Sequence, residues 1–202
     1  MALAGIQSSG YLPDHVTAVT FDDGFADIQE HAWPILLRHQ IPCTIFLVAE
    51  TLLRKEPFAD WIDGTEPLRR PTLSLEQARE MRKLGVRFGS HSYAHQDLTT
   101  LSEYECELDL RESRQMLEDL LSTPIRFLAY PYGRYDKRVR RAAQRAGFTY
   151  AFAMGDPQPT FSPYAIPRAV IDYKTELFRT ERESGAWSIP SDRGSYPSEP
   201  PR

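Results

Sequence analysis

Cysteine is scarce in this chain: Cys43 and Cys106, far apart, are the only two in 202 residues. That count neither supports nor excludes a disulfide, and Cys43 lies in an apolar run, where cysteine behaves as a small buried hydrophobe. Long apolar runs are absent as well. No stretch approaches the roughly 20 residues that a spanning helix requires, so no membrane-spanning segment is expected. The first ten residues, MALAGIQSSG, are too short and too polar for the apolar core of a signal peptide. As written, the chain is expected to be cytoplasmic; a secreted or periplasmic protein whose N-terminal leader had been removed would read the same. A basic excess is missing too. Lys and Arg number 24 against 28 Asp and Glu, a formal charge of −4. No Lys/Arg block stands alone, so no nucleic acid or anionic membrane is expected as a partner. The segment RRAAQRAG, residues 140–147, reads as the basic outer face of a helix. Nothing is repeated, and the length suits one sizeable domain or two small ones.

What is present is an alternation of two periodicities. Short β-branched or aromatic runs bounded by turn residues predict strands over 16–21, 43–49, 86–90, 125–130, 148–154 and 165–171. Between them, residues 26–40, 74–85, 102–121 and 136–147 carry apolar side chains at helical spacing. Ser74 with Gln77 and Ser102 with Glu105 form capping-box patterns, and Gly85 and Gly147 stand as C-terminal stops. Pro34 is expected to kink the first helix. Strand and helix in alternation predict parallel βα units, an α/β fold. The strands are apolar on both faces, which suits a sheet covered on both sides or closed into a barrel. Six strand signals are fewer than eight, so a barrel would be incomplete or distorted. Residues 1–15 read as a lead-in, 16–182 as the folded domain and 54–73 as a long loop rich in proline and charge. Residues 183–202 have the composition of a disordered tail.

In a parallel βα fold the loops after the strands carry the active site. Here the first strand runs into Asp22, Asp23 and Gly24, and the third into GSHSYAH with His91 and His95. The fourth runs into AYPYG (129–133), and the sixth carries Arg168. Two histidines four apart around a helical turn can point the same way. With one carboxylate they make a three-ligand set that leaves room for water, the pattern of a catalytic zinc. Neighbouring side chains diverge in extended chain, so one aspartate can hold an ion while the other faces water or substrate. Each motif also has a plain structural explanation: Asp-Asp-Gly as a turn, the histidine pair as surface or capping residues, Tyr-Pro-Tyr-Gly as a turn with packed aromatics. The combination outweighs its parts, because all three fall at strand ends on one expected face.

TFDDG (20–24), HSYAH (91–95) and FLAYPYG (127–133), in this order and spacing, resemble the polysaccharide deacetylase family, also called the NodB-homology or carbohydrate esterase 4 family. The resemblance runs from about Val16 to about Ile171. It implies a distorted, incomplete (β/α) barrel of about six to seven parallel strands. It also implies a hydrolase that removes acetyl groups from an N-acetylglucosamine-containing poly- or oligosaccharide, by attack of a metal-bound water. It assigns Asp22 as general base and Asp23, His91 and His95 as ligands of a divalent metal, most often Zn2+. Tyr132 would supply a backbone N–H to the oxyanion, Pro131 and Gly133 would shape that turn, Tyr130 would line the groove, and Tyr130 and Pro131 would both contact substrate. Asp27 is expected to cap a helix. Phe58 and Trp61, in the loop 54–73, are candidate sugar-stacking aromatics.

The chain departs from the family pattern in two places. Many members take a general acid from a late Leu-x-His motif, but no histidine follows His95. The leaving amine would then be protonated by Asp22 returning its proton, by water, by a tyrosine or by another chain. Ala129 stands where many members carry an arginine beside the base; Arg168 is expected to pair with Asp22 instead, against the alternative of a surface arginine. Two other readings are a degenerate relative that binds acetylated glycan without turnover, and a deacetylase or amidase of a small molecule. The intact set of Asp22, Asp23, His91 and His95 weighs against both.

Overall fold

Each of the six runs of β-formers becomes a strand. The computed structural model describes residues 17–62, 70–154, 162–169 and 171. The expected lead-in 1–15, the tail 183–202 and positions 63–69 of the loop lie outside these residues. The chain divides into units Met1–Ala169 and Val170–Arg202. The first unit carries strands β1 (Val19–Phe21), β2 (Cys43–Leu47), β3 (Phe58–Ala59), β4 (Arg70–Pro71), β5 (Arg87–Ser90), β6 (Phe127–Ala129), β7 (Tyr150–Met154) and β8 (Ile166–Arg168). Six of them form one sheet in the order β1-β2-β5-β6-β7-β8, every pair parallel. The sheet curls far enough that Arg168 on the last strand donates to the Thr20 hydroxyl on the first, at 3.0 Å. The incomplete barrel is thus bridged at its seam by a side chain rather than by a strand ladder.

The connecting helices are α1 (Trp33–Arg38), α2 (Leu75–Lys83), α3 (Glu103–Leu121) and α4 (Lys137–Arg145). Both capping boxes are complete: Ser74 and Gln77 exchange hydrogen bonds at the start of α2, as do Ser102 and Glu105 at the start of α3. Asp136 caps α4 by accepting from the amides of Arg138 and Val139. Gly85 and Gly147 take φ of 99° and 87°, a backbone conformation open to glycine at little cost.

The break expected at Pro34 takes the form of a change in helical hydrogen bonding: Ile28–Ala32 form a π-helical turn that passes into α1 at Trp33 with right-handed helical backbone at the junction, as a proline that removes an i→i−4 bond requires. Two local expectations are corrected. Asp27 makes no side-chain capping bond; its carboxylate faces Arg70 at 3.6 Å. The loop 54–73 contains an antiparallel ribbon, with Phe58 opposite Pro71 and Ala59 opposite Arg70.

Side chains alternate between two apolar layers, as the period of a strand requires. Ile45, Leu47, Leu128, Ala151 and Ala153 pack with the helices. Phe46, Ala129, Tyr150, Phe152 and Ile166 form a separate inner cluster, with Phe127 against it. Gly89 on β5 leaves room for this inner layer. A Cβ there would lie 2.5 Å from the Phe46 ring and 2.9 Å from the Phe127 carbonyl. Gly89→Ala is therefore expected to lower unfolding free energy by about 1–3 kcal/mol, the usual cost of overpacking, read from urea denaturation. Cys43 and Cys106 are both free and buried, and burial pushes their thiols up to about 11 and about 12. Among the described residues no helix is long and apolar enough to cross a membrane.

Candidate metal centre

The C-terminal ends of β1, β5, β6 and β8 converge on one cluster. After β1 the chain turns sharply: Asp23 and Gly24 both adopt left-handed backbone, φ 65° and 66°, and the Gly24 amide donates to the Asp22 carbonyl at 2.8 Å. A Cβ on Gly24 would meet Leu47 Cδ2 at 2.6 Å, so the turn needs glycine for space as well as conformation. The two carboxylates part at this turn. Asp22 faces β8, where the Arg168 guanidinium donates to both its oxygens at 2.7 Å, a bidentate fork. Asp23 faces the histidines: its Oδ1 lies 3.3 Å from His95 Nε2 and 3.8 Å from His91 Nε2.

The histidines do not sit on a helical turn, as their spacing suggested. They flank an irregular loop in which Ser92 and His95 both have positive φ, 67° and 56°. Side chains hold that loop open. Ser92 Oγ accepts from the His95 amide at 2.9 Å, and Ser90 Oγ accepts from the Ser92 amide at 3.1 Å. From α3, Asp109 accepts from the Tyr93 amide at 3.0 Å, and Ser113 hydrogen-bonds Ser90 at 2.8 Å. Burial pushes the Asp109 carboxyl up to about 6. Left-handed backbone in non-glycine residues carries a conformational cost that surrounding structure must offset. Among the described residues, four of the six such positions, Asp23, Ser92, His95 and Tyr132, lie at this cluster.

Hydrogen bonding and burial act on His91, Asp23 and Asp22 in definite directions. His91 Nδ1 lies 2.8 Å from the Ala129 carbonyl, which can only accept, so Nδ1 carries the proton and Nε2 presents a lone pair toward Asp23. Burial pushes His91 below its ordinary value despite the two nearby aspartates, favouring this neutral ring. Burial would raise Asp23, but hydrogen bonding from His95, the charge of the imidazoles when protonated, and the Trp61 indole outweigh it, so its carboxyl sits below the usual range. Burial likewise opposes Asp22 ionisation; His91 when charged and the Arg168 fork overcome it, and Asp22 is also lowered. A lone pair and an ionised carboxylate facing each other at 3.8 Å are two acceptors with no proton between them, an arrangement a cation relieves. The donor atoms of Asp23, His91 and His95 all lie within 4.8 Å of one another. These residues fit a divalent ion.

The remaining expected residues fall differently. Tyr132 is in the left-handed turn of the third motif, φ 57°, with its ring edge-on to His95 at 4.7 Å. Tyr130 does not line a groove: it is fully buried, its hydroxyl donates to the Tyr164 carbonyl at 3.0 Å, and its ring stacks on Tyr135. Pro131, expected both to shape the turn and to contact substrate, is buried within that turn. Trp61 has one face stacked on His95, centroids 4.6 Å apart, and its Nε1–H donates to Asp23 Oδ1 at 2.9 Å. Phe58 lies under the Arg54 guanidinium, 5.3 Å from its ring centroid. Sequence reading missed the frame behind the histidine loop, Ser90, Asp109 and Ser113, and missed the bond from Trp61 to Asp23.

Comparison with known proteins bears on the family and the fold. The polysaccharide deacetylase family profile matches residues 9–151. The poly-beta-1,6-N-acetyl-D-glucosamine N-deacetylase of Staphylococcus aureus (strain MRSA252) is 27% identical over 176 residues, covering 82% of this chain and 57% of that protein. YxkH of Bacillus subtilis (strain 168) is 25% identical over 130 residues, 64% of this chain and 41% of that one. The chain thus spans about half the length of these curated relatives. Among solved structures, IcaB from Ammonifex degensii superposes with a TM-score of 0.66 at 26% identity, covering 82% of this chain and 71% of that one. A de-N-acetylase from Aggregatibacter actinomycetemcomitans superposes with a TM-score of 0.70 at 20% identity, covering 87% and 78%. With a profile match over most of its length, matching motifs and the same curled sheet, the chain belongs to the polysaccharide deacetylase family.

Proposed function

We propose that this protein is a metal-dependent N-deacetylase acting on a poly- or oligosaccharide that contains N-acetylglucosamine. The observation that carries the reading is the pairing of an Asp-His-His cluster with a separate carboxylate held by an arginine, all at one end of the sheet. Asp23, His91 and His95 would hold the ion, with zinc the ion that two imidazoles and a carboxylate suit best. Bound there, such an ion supplies Lewis acidity, polarising the acetyl carbonyl and making nearby water a stronger acid.

The protein's own groups do the rest. Asp22 stays ionised and takes a proton from the attacking water. The fork from Arg168 occupies one lone pair on each oxygen, so each keeps another for that proton. Arg168 also fixes the carboxylate's plane, which limits the reorganisation needed at the moment of transfer. The amide of Tyr132, carried in a left-handed turn beside His95, is the proposed donor to the developing oxyanion; such a donor is typically worth about 100- to 1,000-fold in rate. Having gained a proton, Asp22 is the group placed to return it to the leaving amine.

The test is acetate release from N-acetylglucosamine oligomers by the full chain. Release is expected to stop after exhaustive treatment with a chelator and to return on adding zinc. Release that survives removal of every divalent ion would refute the metal-dependent reading. A zinc-loaded chain that releases no acetate from any such oligomer would refute the deacetylase reading.

A further inference from the structure

The two histidines are supported unequally. His91 is locked by the Ala129 carbonyl on Nδ1, the usual way a ligand imidazole is oriented from behind. His95 has no such partner: its Nδ1 is buried without a hydrogen bond among the described residues. What holds the His95 ring is aromatic. The Trp61 indole stacks on it with planes 17° apart, and the Tyr132 ring meets it edge-on at 71°. The same indole sends its N–H to Asp23 Oδ1, the oxygen that faces both imidazoles. One side chain therefore touches two of the three ligand residues.

We infer that Trp61 is a positioning residue of the metal site rather than a sugar-stacking platform: its N–H orients the Asp23 carboxylate and its ring orients the His95 imidazole. The inference rests on the metal reading above. The chemistry favours it over sugar stacking. A carboxylate oxygen has two lone pairs, so Oδ1 can accept the indole proton and still face an ion. An indole N–H donates and never accepts, so it cannot itself compete as a ligand. The ring face a sugar would need is taken on one side by His95. Trp61 is contributed by the segment after β3, 38 residues from Asp23 in sequence, so this segment is tied directly to metal occupancy.

Two substitutions separate the two contacts. Trp61→Phe keeps an aromatic ring over His95 and removes the N–H; Trp61→Ala removes both. Groups that orient metal ligands typically contribute about 10- to 100-fold in affinity. Zinc affinity, measured by competition with a chromophoric chelator, is expected to fall about tenfold in Trp61→Phe and about a hundredfold in Trp61→Ala. At saturating zinc, KM for an N-acetylglucosamine oligomer is expected to stay near wild type in Trp61→Phe. Unchanged zinc affinity in Trp61→Phe, or a raised KM with affinity unchanged, would overturn the inference in favour of sugar contact. A wild-type chain that binds no zinc, or a His91→Ala variant that binds it as tightly as wild type, would instead overturn the metal reading, and this inference with it. Should either Trp61 variant fail to fold, the wild-type chain labelled with 15N-tryptophan gives the same answer. One of its three indole signals (the chain has three tryptophans) should resist exchange with solvent and shift on zinc addition. Three indole signals all indifferent to zinc would overturn the inference.

Discussion

Asp22→Asn is expected to lower turnover by about 100- to 10,000-fold, the contribution of a positioned general base, while zinc content stays near one per chain. The two halves of this expectation come from different contacts. Asparagine is nearly isosteric and keeps one carbonyl-type oxygen for Arg168, but its amide cannot take a proton from water at any working pH. Turnover therefore falls even though the side chain stays in place. Metal content is set elsewhere, by Asp23, whose Oδ1 lies 3.3 and 3.8 Å from the two imidazole nitrogens. Asp22 has both oxygens engaged by Arg168 instead. Acetate release and metal analysis on the same preparation read both quantities. Loss of zinc with loss of activity would mean that the two aspartates have been assigned the wrong way round. Turnover near wild type would mean that the base is another group.

That the adjacent aspartates point apart was legible from sequence, but its cause was not. Extended chain would separate neighbouring side chains by alternation; here the separation comes from the left-handed turn at Asp23 and Gly24. The same limit applies at the histidines. A spacing of four is shared by a helical turn and by a loop with two left-handed residues, and no local pattern marks Ser92 and His95 as positive in φ. Tyr130 was within reach. Alternation along β6 sets it on the same side as Leu128, in the layer that packs against the helices, and opposite Ala129. The family resemblance set it in a groove instead, while the plain reading of Tyr-Pro-Tyr-Gly as a turn with packed aromatics fits its burial. Strands and helix caps read well because their signals are local: Ser74 with Gln77 and Ser102 with Glu105 are three residues apart. Trp61 to Asp23, Asp109 to Tyr93 and Ser113 to Ser90 join residues 38, 16 and 23 apart, and chain topology alone brings them together.

Arg168→Met is expected to impair both stability and rate. Arg168 is the link from the last strand to the first, donating to Thr20 and Asp22 across the open seam, and its guanidinium lies 5.3 Å from the Phe46 ring centroid and 5.9 Å from that of Phe152. Methionine preserves apolar contact with those rings, so the measured loss reports the charge and the fork. The side chains of Arg168 and Asp22 are 14% and 30% exposed, between a surface pair worth about 0–1 kcal/mol and a buried one whose breaking costs about 3–5 kcal/mol. That intermediate burial implies a loss of roughly 1–3 kcal/mol in unfolding free energy. Its pH dependence has a definite sign. In the wild type Asp22 is held below its ordinary value, so the pair stabilises the fold above about pH 4, the unfolded carboxyl's range, and this stabilisation fades as pH falls through the folded value. The stability gap between wild type and Arg168→Met should therefore be full near neutrality and close on acidification. For the reaction, burial of Asp22 is no longer opposed by the guanidinium, its pKa rises, and the acid limb of kcat/KM moves to higher pH. Arg168→Lys, which keeps the charge and loses the bidentate geometry, should fall between the two in both measurements. An acid limb unmoved in Arg168→Met, with turnover near wild type, would show that the fork holds the barrel seam and has no part in poising the base.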